Sequence, residues 1–175
     1  VNGFNFDYEN IKKIINKLTM SKAEIVEIGF LKDCEYQKDK TIFNIIEEAE
    51  GMIEFTSPDV TYSIMIRPDG YDIEKLKPSN KVKLIRFAFY FKDLELALEQ
   101  AEIARKMGYL IFLNPVNITG YNENDLDIVL SKLCEFNPHG VSIVDTYGSM
   151  TEKSLIPIYK KFESSLGNDV TLGLH

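Results

Sequence analysis

The chain has 175 residues, 45% hydrophobic and 27% charged, which suffices for one domain with a sizeable core. A net charge of −7 and a pI near 4.9 exclude the basic stripe of a nucleic-acid binder and simple attraction to anionic lipid. No apolar run approaches the roughly 20 residues that span a bilayer, and the charged, amphipathic opening segment lacks a signal peptide's apolar stretch. Cys34 and Cys134 form no Cys-x-x-Cys pair and read as reduced, small hydrophobic side chains, in keeping with a cytoplasmic protein. The opening Val1, in place of Met, reads as a processed or engineered start.

Asp7 is a good N-cap for a helix carrying Ile11, Ile14, Ile15 and Leu18 at helical spacing. "AEIVEIGF" (23–30) reads as a strand, and Ile42, Phe43, Ile45, Ile46 and Ala49 as a helix stopped by Gly51. "VTYSIMI" (60–66) reads as a strand and "YDIEKLK" (71–77) as a short helix ended by Pro78. "VKLIRFAFY" (82–90) is the clearest strand. Leu94, Ala97, Leu98, Ala101, Ala104 and Met107 mark a long amphipathic helix closed by Gly108.

The alternation continues. "YLIFLNPV" (109–116) and "GVSIVDT" (140–146) read as strands around a helix with Leu126, Val129, Leu130 and Leu133. "SMTE" (149–152) reads as a capping box for a last helix, in which Pro157 either introduces a kink or delays the start. The final strand is "DVTLGLH".

Near-continuous apolar strands separated by helices imply a parallel sheet. A doubly wound dinucleotide binder calls for a Gly-x-Gly-x-x-Gly turn after an early strand, and there is none, nor a phosphate-binding Walker loop. The remaining α/β architecture is the (β/α)8 barrel, with eight strands in typically ~250 residues. A chain that opens on a helix and closes on a strand fits an incomplete barrel over 1–175, holding barrel strands two to seven without the first strand and the last unit.

In such a fold the chemistry gathers where strands end. Those positions offer Glu27, Arg86, Asn114, Asp145, Thr146 and His175. Each has a bland reading: Glu27 and Arg86 as a buried pair, Asn114 before Pro115 as a turn, Asp145 as a helix cap, His175 as a structural histidine. Their convergence at one end of the strands suits a divalent cation bound through oxygen and nitrogen, with a polarised carbonyl substrate. His139 falls on the opposite, stability face and reads as structural.

Taken in order, "VEIGF", "RFAFY", "FLNPV", "VDTYGSMT" and "LGLH" resemble the metal-dependent aldolase and acyl-transferase barrels, a superfamily that includes 4-hydroxy-2-oxovalerate aldolase, hydroxymethylglutaryl-CoA lyase and isopropylmalate synthase. The hydroxy-oxovalerate aldolase branch looks nearest. The resemblance implies a lyase that cleaves a 4-hydroxy-2-oxo acid to pyruvate and an aldehyde through a metal-stabilised enolate, with Mn, Mg, Co or Zn as the metal. It implies catalytic roles for Glu27 and Arg86, substrate contacts for Asn114, Asp145 and Thr146, and metal ligation by His175 as the first His of a His-x-His-Asn motif. It also implies a small 2-oxo acid substrate and, in this branch, an aldehyde dehydrogenase partner. Acyl-CoA condensation and a non-catalytic binding module are the competing readings.

The family's Arg-Asp-Gly turn and second His are not in the sequence, and "VNGFNF" resembles the segment that follows that turn. This chain alone is therefore expected to bind metal poorly, to lack aldolase activity, and to form homo-oligomers through open sheet edges.

Overall fold

The computed structural model describes residues 6–175, so the expectation for "VNGFNF" lies almost wholly outside the described residues. Helix α1 (Tyr8–Met20) starts where the Asp7 side chain accepts from the Asn10 amide. Strands β1 (Ile25–Leu31) and β2 (Ile42–Phe43) precede the short helix α2 (Ile46–Glu50). Then come β3 (Thr61–Ile66), β4 (Val82–Phe89), α3 (Leu94–Lys106), β5 (Leu110–Pro115), α4 (Glu123–Phe136), β6 (Gly140–Ile143), α5 (Glu152–Ser165) and β7 (Thr171–Leu174).

All seven strands are parallel, in the order β2-β1-β3-β4-β5-β6-β7. That order decides the architecture. From β1 and β3 onward the strands follow chain order with no reversal, and a doubly wound sheet requires a reversal. Right-handed crossovers that always step the same way leave every helix on one face, which is the winding of a barrel. The main apolar core accordingly lies between that face and the helices. Ile64, Ile85, Phe87, Leu113, Val141 and Ile143 meet Ile11, Ile15, Ala97, Ala101, Leu133 and Phe162 there, all nearly inaccessible. The other face is the concave one. Among the described residues β2 and β7 do not pair, so the sheet is open and forms an incomplete (β/α)8 barrel of six consecutive barrel strands and one extra edge strand.

The extra strand corrects the sequence reading of a helix from Ile42. A helical periodicity is present, but Ile42 and Phe43 pair with Phe30 and Leu31 instead. Gly29 is the cause. Its φ of +146° and missing side chain let the Thr41 carbonyl accept from the Phe30 amide at 2.9 Å, and a Cβ there would stand 2.1 Å from that oxygen. Two other local expectations also change. The 71–77 helix is a single 3-10 turn (Ile73–Lys75), preceded by another over Pro68–Gly70. The last helix is entered through Thr151, whose amide donates to Ser154 Oγ at 2.9 Å, and not through Ser149; it runs on through Pro157.

Candidate active site

Side chains alternate along each strand, so residues opposite the helix-facing set point to the concave face. These include Glu27 on β1, Ser63 and Met65 on β3, Arg86 on β4, Asn114 on β5 and Ser142 on β6. The face therefore carries a polar band among apolar neighbours such as Leu84 and Ala88.

The band is joined by hydrogen bonds. Arg86 NH1 donates to Glu27 Oε2 at 2.6 Å. Glu27 and Arg86 stand two strand spacings apart, about 10 Å of backbone. The two long side chains bridge that gap over β3, where Ser63 is in register with Glu27 and Met65 with Arg86. From the other side Asn114 Oδ1 accepts from Arg86 Nε (3.1 Å) and NH2 (2.6 Å), and its Nδ2 donates to the Leu113 carbonyl at 3.2 Å. The opposite amide orientation would set a nitrogen against the guanidinium, so the network fixes it. Asn114 is only 1% exposed, and the Arg86 and Glu27 side chains are 14% and 26% exposed.

Burial raises the pKa of Glu27, and this outweighs the lowering by Arg86 and, more weakly, by His175. His175 extends the ladder past β7, its amide donating to the Ile143 carbonyl and its carbonyl accepting from the Asp145 amide.

Asp145 and Thr146 sit on the rim with their polar atoms committed to backbone. Asp145 accepts from the Ser149 and Met150 amides at 2.9 and 2.8 Å, and these bonds hold its carboxyl below the ordinary range. Thr146 Oγ1 accepts from the Asn117 amide at 2.6 Å, tying the loop after β5 to the loop after β6. The structure thus brings Glu27, Arg86 and Asn114 into contact and His175 near them, while Asp145 and Thr146 brace the rim beside them.

Two members of the band went unread in the sequence, Ser63 and Ser142. Ser63 is fully buried, and its Oγ has no hydrogen-bond partner among the described residues. The available signal was a small polar residue flanked by apolar ones in "VTYSIMI" and "GVSIVDT", as alternation demands of a strand with one polar face.

A divalent metal needs more than these residues supply. No group of three or more His, Cys, Asp or Glu side chains able to hold an ion occurs among the described residues, and Glu27 is engaged by Arg86. His175 offers one donor, so the donor set present here does not fit a metal by itself. No helix among the described residues is long and apolar enough to cross a membrane.

No family model and no curated protein matches the sequence. Solved structures do match. The N-terminal domain of a Bacteroides vulgatus protein provisionally described as an aldolase superposes with a TM-score of 0.72 at 16% identity, over 98% of this chain and 58% of that one. The HMG-CoA lyase of Bacillus subtilis superposes with a TM-score of 0.75 at 12% identity, over 99% of this chain and 63% of that one. The likeness establishes the fold, and the chain spans about three-fifths of the length of either structure.

Proposed function

We propose that this chain is the larger part of a barrel-type carbon–carbon lyase that cleaves a 4-hydroxy-2-oxo acid to pyruvate and an aldehyde. The observation that carries the reading is the Glu27–Arg86–Asn114 layer, a half-buried carboxylate, guanidinium and amide on the concave face of a barrel wall. Charged and amide groups are costly to bury unless paired, and held together on this face they offer a polar ligand an oriented cation and carboxylate.

In this reading Arg86 faces the oxyanion that develops on the oxo acid, and Asn114 keeps its guanidinium plane from turning, so the charge is already oriented when the reaction begins. Glu27, with its raised pKa, takes the proton from the 4-hydroxyl oxygen as the carbon–carbon bond breaks. Asp145 and Thr146 hold the rim loops against which the substrate sits. His175 could offer a nitrogen donor to a divalent metal, but the donors among the described residues do not hold one by themselves.

The test is pyruvate release from 4-hydroxy-2-oxo acids by the protein carrying its entire reading frame, with acetyl-CoA plus 2-oxo acids as the comparison. Turnover of the former, lost in Arg86→Met, supports the reading. Turnover of only the latter makes the protein a condensing enzyme, and turnover of neither makes it a binding module.

A further inference from the structure

Lys32 and Arg67 follow immediately on the register pair Leu31↔Ile66, so they stand side by side on adjacent strand ends at the C-terminal mouth of the sheet. Both line a cavity of about 450 Å³ whose floor includes Phe30, Leu31 and Ile42. Like charges on neighbouring strands repel. Asp69 lines the same cavity and answers only one of them: its carboxylate accepts from Arg67 Nε at 3.1 Å and NH2 at 2.8 Å. That fork and the Tyr90 ring, 5.4 Å from Arg67 Cζ, fix the guanidinium plane and leave NH1 with no hydrogen bond among the described residues. Asp33, the residue after Lys32, is occupied by Lys75 Nζ and the Asp72 amide. One oriented guanidinium, an exposed lysine beside it, a single counter-charge and an apolar floor leave room for one more anion.

The geometry points to an oxyanion subsite formed by Lys32 and Arg67 at the mouth, which takes a distal carboxylate or phosphate of the substrate. Arg67 lies two residues beyond Met65, the register partner of Arg86, so the subsite is about 7 Å further along the sheet than the reactive layer. The substrate class becomes a short oxo acid with a second anionic group at its far end. This part rests on the proposed lyase reading; the subsite itself does not.

Amide NMR titration of the 175-residue chain with inorganic phosphate tests it, with glutarate and butyrate as the two-ended and one-ended carboxylates. Phosphate is expected to give saturable shifts at Lys32, Arg67, Asp69 and Gly70, with glutarate binding more tightly than butyrate. Lys32→Gln and Arg67→Gln each weaken phosphate binding roughly fivefold, the value of one exposed charge contact. Both positions are exposed, so the variants retain the fold, which the unchanged amide spectrum of β4 and β5 verifies. Shifts equal to those of sodium chloride at the same ionic strength, or binding unchanged in both variants, overturn the subsite. Phosphate binding by this chain, with no pyruvate release by the protein carrying its entire reading frame, would leave the subsite standing and count against the lyase layer. The converse result would do the opposite.

Discussion

Arg86 and Glu27, 59 residues apart, meet at 2.6 Å over an intervening strand, and Ser63 beneath them is small enough to let them. Removing the cation strands Glu27 and Asn114 together. Arg86→Met is expected to cost about 2–4 kcal/mol in urea unfolding, below the full cost of breaking a wholly buried pair. Glu27→Gln keeps an acceptor for NH1 and costs about 1–2 kcal/mol. Equal and negligible losses would show that the bridge does not order this face.

Gly29 sets the second prediction. Gly29→Ala drives a Cβ into the Thr41 carbonyl and imposes an L-residue on a positive φ, at a cost of about 2–5 kcal/mol. Hydrogen exchange localises it: the Phe30 and Lys32 amides, which donate to Thr41 and Phe43 carbonyls, lose protection before those of β4 and β5 do.

His139 sets a pH dependence. Its Nδ1 accepts from the Ile111 amide at 3.0 Å, so the fold holds the ring neutral, and burial together with Arg105 lowers its pKa. A folded value below the unfolded value of about 6.5 means that the unfolded chain binds the proton first. Its contribution is therefore intact above pH about 6.5 and falls as the pH drops toward the lowered folded value. Glu27 acts with the opposite sign, because its raised folded pKa favours the fold as the pH falls through that value toward the ordinary carboxylate range. His139→Gln removes the first dependence and leaves the second, which unfolding curves at a series of pH values separate.

Both edges of the sheet expose backbone. β2 covers β1 only at Phe30 and Leu31, beside a groove of about 640 Å³ lined by Ile14, Leu18 and Ile28, and among the described residues β7 has no partner on its outer side. Unpaired parallel edges recruit other strands. Light scattering of the 175-residue chain is expected to show concentration-dependent self-association; a monomer at all concentrations would contradict it.

The sequence was readable wherever one element explains its own pattern. The apolar runs at 82–90 and 109–116 became β4 and β5, and the charged or amide residues inside them, Arg86 and Asn114, became the polar layer. It was unreadable where a contact between distant residues decides. Ile42 and Phe43 have helical spacing, but a glycine thirteen positions earlier makes them a strand. Ser63 went unread because its role depends on what passes above it. Asp145 and Thr146 sit at the rim as the strand ends suggested, yet their oxygens accept from loop amides, a use that no spacing rule announces.

Carbon–carbon lyase chemistry at the Glu27–Arg86–Asn114 layer is the proposal on which the rest depends. The most direct measurement is kcat/KM for pyruvate release from a 4-hydroxy-2-oxo acid by the protein carrying its entire reading frame, beside Arg86→Met and Glu27→Gln variants whose folding is verified by unfolding curves. Wild-type turnover is expected, with a loss of at least about 100-fold in each variant, the scale of one oxyanion-stabilising or proton-transferring group. Turnover unchanged in folded variants, or no wild-type turnover at all, would contradict it.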